Sequence, residues 1–179
     1  MAFDNTKMAN RLGLDLKFYA YTNGTAGSAA VATIDFANEV SLDLSSDMVW
    51  ATGGQEHANL IGFNNPVEGT LTISTQIVTM TVLALAAGAD LTTDTSVTFK
   101  NDTSSVKPKY YTIVGETVWV DESGVSHNET ITVHKACVKP GYNSTYTGDG
   151  DPQSIDIEFE LGTDENGKVV TFGRTKATS

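Results

Sequence analysis

Three histidines, one cysteine and a few closely spaced carboxylates are the residues with which this 179-residue chain could do chemistry. His134 and Cys137 stand three apart, a spacing found in some metal sites. On a strand, positions three apart point to opposite faces, so the pair reads as ordinary strand residues. Asp149-Gly150-Asp151 suggests a calcium loop but lacks the regularly spaced oxygen ligands and closing glutamate of an EF-hand; it reads as a polar turn. Asp156, Glu158 and Glu160 share one strand face and could mimic a catalytic carboxylate pair, yet like charges on an exposed strand are more simply a solvated face. There is no phosphate-cradling Gly-Lys-Ser/Thr loop and no Gly-x-Ser-x-Gly elbow. Trp50 and Trp119 are candidates for sugar stacking, or for anchoring a core or a subunit interface. The sequence therefore predicts no enzyme, no metal and no cofactor.

The elements that carry these residues read as β. Threonine occurs 25 times, and Thr suits pleated, half-buried surfaces better than helices. The length fits one domain, and no repeat or linker divides it. With one cysteine there is no intrachain disulfide. The first sixteen residues lack a charged-then-apolar leader pattern, and the longest mainly apolar run, 77–87, is about half a membrane span. Synthesis and folding in a cytoplasm are expected.

Apolar alternation marks a strand at Leu12–Phe18, and a flexible turn is expected over Thr22–Ser28. A second strand follows around Val31, Ile34 and Phe36, then two-faced strands at Glu39–Ser45 and Glu68–Gln76. The run 77–87 begins β-branched and ends helix-prone before Gly88, which predicts a short buried helix from about Met80. Further strands are expected at Ser96–Lys100, Tyr110–Val120, Thr130–Val138, Ile155–Leu161 and Val169–Phe172. The ends read as an irregular arm at 1–10 and a loose tail at 173–179.

Charge is distributed unevenly. Eleven basic and 22 acidic residues give a net charge of −11. Such a chain will not grip nucleic acid by neutralising phosphates. Between Lys17 and Lys100 there is no Lys or Arg, while that interval of 82 residues carries eight acids. Each two-faced strand keeps one polar face free of cations: Glu39, Ser41, Asp43 and Ser45 on the first, Glu68, Thr70, Thr72 and Ser74 on the second. Val40, Leu42, Leu44, Leu71 and Ile73 are expected to face the core. Carboxylates repel phosphates over about 8 Å at physiological salt. A surface past which a polyanion must slide without sticking would be built this way; a plain solvated acidic surface is the simpler reading.

The alternating segment Glu68–Gln76 leading into 77–87 and Gly88, with Glu39–Ser45 as its partner strand, resembles the strand-then-helix segment of tail tube proteins (major tail proteins) of long-tailed bacteriophages. The resemblance implies a mainly β fold, a β-sandwich or barrel-like domain with one short helix, whose subunits form hexameric rings. Each subunit lends strands to a shared inner β-barrel, and stacked rings form a tube through which the genome passes. It also implies a virion-tail location after assembly in the bacterial host cytoplasm. The expected partners are other copies of the chain, the tape measure, the tail tip and the terminator, with DNA in transit and no membrane. The eight polar residues above would then line the lumen. The loops Thr22–Ser28 and Trp50–Ala58 and the N-terminal arm are candidates for ring-to-ring contact. The alternative is a β-sandwich module, phage-borne or on a surface, that binds carbohydrate or a receptor through an exposed tryptophan.

Overall fold

The computed structural model describes residues 8–10, 14–35, 37–53, 58–89, 96–98, 108–143 and 154–176. Its strands are β1 (Met8–Asn10), β2 (Asp15–Thr22), β3 (Thr25–Ile34), β4 (Ala37–Ser45), β5 (Met48–Gly53), β6 (Ala58–Asn64), β7 (Glu68–Thr75), β8 (Tyr110–Asp121), β9 (Ser126–Lys139), β10 (Ile155–Gly162) and β11 (Val170–Lys176). A single short helix, α1 (Met80–Ala86), lies between β7 and β8 among the described residues. The protein is mainly β.

Nine strands form one antiparallel sheet along the path β3-β2-β8-β9-β10-β7-β4, with β1 added to β8 and β11 to β9. Strand β9 is the pivot. Its first half, to Val133, pairs with β11, and its second half, from Lys135, pairs with β10. Across the join, Ile113 stands opposite Val133 and Tyr111 opposite Ala136, so Thr112 faces two residues. This bulge bends the sheet so that its two ends face each other. The Thr112 hydroxyl donates to the His134 carbonyl at the bulge, 2.8 Å.

The space enclosed by the bend is the core. Leu16 and Phe18 of β2, Ile113 of β8 and Val133 of β9 meet Leu71 and Ile73 of β7 and Ile157 and Phe159 of β10. The rings of Phe18 and Phe159 stack across it at 5.7 Å. The arrangement is sandwich-like, with α1 closing one end through Val82, Leu85 and Ala86. Each fully buried large side chain contributes about 1.5–3 kcal/mol relative to exposure.

The helix starts where Thr79 accepts a hydrogen bond from the Val82 N–H. It stops where Gly88 takes φ +62° and Ala89 and Gly88 donate to the carbonyls of Ala84 and Leu85. That start and stop match the expected helix.

Several expectations are corrected. The turn at Thr22–Ser28 is only Asn23-Gly24, both at positive φ, and Thr25 onward is strand. Residues 96–98 are described and form no strand. The tail expected to be loose at 173 continues as β11 to Lys176, because Gly173–Lys176 pair with Thr130–His127 of β9. Met8–Asn10 of the expected arm pair with Trp119–Asp121. The Trp50–Ala58 loop belongs largely to a separate two-stranded hairpin, β5–β6. Asp149-Gly150-Asp151 and most of the arm fall outside the described residues.

Candidate functional site

The two-faced strands are direct neighbours. β4 pairs with β7 so that Glu39 stands opposite Ser74, Ser41 opposite Thr72, Asp43 opposite Thr70 and Ser45 opposite Glu68. All eight predicted residues therefore share one face of one antiparallel pair. Their neighbours turn the other way: Leu71 and Ile73 are buried, and Val40 and Leu42 pack against the core. Leu44 departs from this pattern, for it is 37 % exposed. It sits near the end of β4, beyond the core, with its Cδ2 against Gly69.

Gly69 shows how tightly the pair is drawn. A Cβ at that position would lie 2.5 Å from the Asp43 carbonyl and 2.7 Å from Leu44 Cδ2. The glycine admits β4 where a side chain would push it away.

β10 extends the face on the far side of β7. Asp156 stands opposite Ser74, Glu158 opposite Thr72 and Glu160 opposite Thr70. The acidic row that resembled a carboxylate pair thus joins the predicted face, giving cross-strand rows such as Asp43–Thr70–Glu160. Sequence reasoning found the alternation of β10 but not its place beside β7, since nothing local encodes which strand inserts between β7 and β9.

Strand β9 closes the face. Lys139 lies opposite Glu158 and Cys137 opposite Glu160. Lys139 Nζ donates to Glu158 Oε1 at 2.9 Å, and this bond raises the lysine's pKa. Across β4, β7 and β10 the face carries Glu39, Asp43, Glu68, Asp156, Glu158 and Glu160, and two lysines of β9, Lys139 and Lys135, stand at its margin. Burial, and then the Glu160 charge, push the Cys137 thiol up. Further along, Lys135 lies over the rings of Tyr21 and Tyr110 at 5.7 and 4.8 Å.

His134 and Cys137 do not stand on opposite faces as the spacing argument assumed. The bulge between Val133 and Ala136 turns both away from the core, because Val133 and Ala136 are both buried in it. Their partners nevertheless differ. His134 Nε2 is 2.8 Å from Thr171 Oγ1 and its Nδ1 is 3.6 Å from Asp164 Oδ2, whereas Cys137 faces Glu160. Among the described residues no group of three or more His, Cys, Asp or Glu is placed to hold a metal ion.

Of the two tryptophans, Trp119 lies under Arg174, 5.0 Å from ring to guanidinium. Its Nε1 is buried without a hydrogen-bond partner among the described residues. Trp50 is exposed on β5. No helix is long and apolar enough to cross a membrane among the described residues.

A scan of protein-family models matches none of them to this chain. A search of curated proteins also finds no match.

Proposed function

We propose that the chain is the repeating subunit of a hollow tube, a phage tail tube protein, whose acidic face lines a conduit for DNA. The observation that supports this best is the register of β4 on β7, which gathers Glu39, Ser41, Asp43, Ser45, Glu68, Thr70, Thr72 and Ser74 on one exposed or half-exposed face. β10 widens it with Asp156, Glu158 and Glu160. Same-face residues repeat every ~6.8 Å along a strand, so ring symmetry would turn each carboxylate into a belt of negative charge. The open edges of β3 and β4, at the two ends of the sheet path, offer backbone groups for pairing with neighbouring copies. Hexameric rings, a shared inner barrel and the other tail proteins as partners belong to the same reading.

A second reading is a β-sandwich binding module, favoured by the exposure of Trp50. Its neighbours on the hairpin are Met48, Val49 and Phe63, which suit a protein surface better than a sugar.

Negative-stain electron microscopy of the purified protein, across concentration and salt, tests the proposal. Rings or stacked hollow tubes are expected. A protein that stays monomeric under every condition and binds a glycan on an array would overturn it in favour of the second reading.

A further inference from the structure

Two features have no partner among the described residues. The first is the hairpin β5–β6, which forms its own two-stranded sheet. Met48, Val49, Trp50 and Phe63 are each between 46 % and 57 % exposed. Met48 and Trp50 lie together over Gly62 on one face, while Val49 pairs with Phe63 on the other. At its base the two legs of the hairpin are tied to each other by the Asn65 N–H donating to the Asp47 carbonyl and by the Ser46 hydroxyl donating to the Asn65 carbonyl, both 2.8 Å. An isolated hairpin is marginal in water, and one apolar on both faces is more costly still.

The second feature is the edge of β3. This ten-residue strand, Thr-Ala-Gly-Ser-Ala-Ala-Val-Ala-Thr-Ile, ends the sheet and has neither a charge nor a proline to blunt it. Two register shifts against β2, on either side of Tyr19, kink its pairing, one at Val31 and the other between Ala26 and Ala30. Beside its second half runs a groove of about 500 Å³, walled by Ala30–Asp35 of the β3 side and by Ile77, Thr79, Thr81 and Val82 at the start of α1. Val31, Ile77, Val78 and Met80 flank it, each 39–51 % exposed, and Asp35 is the only charged residue of the lining.

A strand edge next to a groove of mixed threonine and apolar lining and a helix is a geometry by which an extended segment adds to a sheet, its backbone pairing with the edge and alternate side chains entering the groove. We infer that β3 and α1 of one copy receive the β5–β6 hairpin of a second copy. The hairpin presents open backbone edges and apolar side chains on both faces, and the acceptor presents the matching edge and groove. An acidic occupant such as the open β4, with Glu39 and Asp43, suits the acceptor less well. The contact is heterologous, so donor and acceptor on every copy propagate into a closed ring or an open polymer. The inference rests on the tube reading for its purpose but not for its test.

The test mixes two variants. Trp50→Ser/Phe63→Ser removes the donor surface and leaves the acceptor intact; Val31→Lys/Ile77→Lys does the reverse, and Ala29→Lys is a second acceptor variant on the same edge. All these side chains are exposed. Light scattering after size exclusion, with circular dichroism to check folding, should find each variant folded and monomeric alone. The donor and acceptor variants together should give a 1:1 dimer that grows no further. Folded variants that assemble as the wild type does, or a mixture that stays monomeric, would overturn the inference. Tubes formed by both variants would overturn it and leave the tube reading standing. A dimer from the mixture, with wild-type polymers that are not hollow, would do the opposite.

Discussion

Asp121 and Asp164 each hold a hairpin turn shut with one carboxylate. Asp121 Oδ1 accepts from the Ser123 and Val125 N–H groups while its Oδ2 meets His127 Nε2 at 3.1 Å. Asp164 Oδ1 accepts from Asn166 and Lys168 N–H, and its Oδ2 lies near His134. Both pKa values are lowered, Asp121 first by the bond to His127 and Asp164 first by the bond from the Lys168 backbone. A lowered folded-state pKa gives stability that is complete above the ordinary carboxylate range near pH ~4 and is lost as pH falls through the depressed values. Melting temperature should therefore hold through neutral pH and drop in that acid window. Asp121→Asn and Asp164→Asn should each lower the neutral-pH melting temperature and flatten the acid drop, as followed by circular dichroism. An unchanged acid slope in both variants would mean that other carboxylates set it.

At the scale of elements, the face made by β4, β7 and β10 carries the functional argument. Asp43→Lys places a cation in the row Asp43–Thr70–Glu160 without touching the core. Tubes or particles of this variant should retain DNA in a salt-sensitive way and eject it more slowly, because lysine releases counterions and holds phosphates. Normal ejection would remove the support for the acidic-lumen argument. The strands of this face were legible in the sequence, because alternation in β4, β7 and β10 survives without help from neighbours, and so was α1 with its Thr79 and Gly88 boundaries. Their adjacency was only half legible. The β4–β7 pairing followed from the resemblance, whereas β10 takes its place through long-range pairing that no local pattern records. The bulge at His134–Lys135 was invisible for a related reason: it is an extra residue in one strand relative to another, so period-2 reasoning put His134 and Cys137 on opposite faces. The β5–β6 hairpin was not legible, and Trp50–Ala58 read as a loop, because with apolar side chains on both faces its strands lack the alternation that marks a half-buried strand.

At the scale of the whole molecule, the described residues form a bent sheet with an acidic outer face, open edges at the two ends of its path and an apolar hairpin that no other described element covers. None of these is comfortable in an isolated monomer, and the proposed closed assembly of identical copies would use all three. A tube built this way would keep basic side chains off its interior surface by composition alone, with Lys139 held to Glu158 at the margin of the face. The measurement that decides this most directly is a cryo-electron microscopy reconstruction of the assembled protein. The account predicts that Ser41, Asp43, Thr70, Thr72, Glu158 and Glu160 face a central channel. A reconstruction with that face on the outer surface, or buried between subunits with no channel, would contradict it.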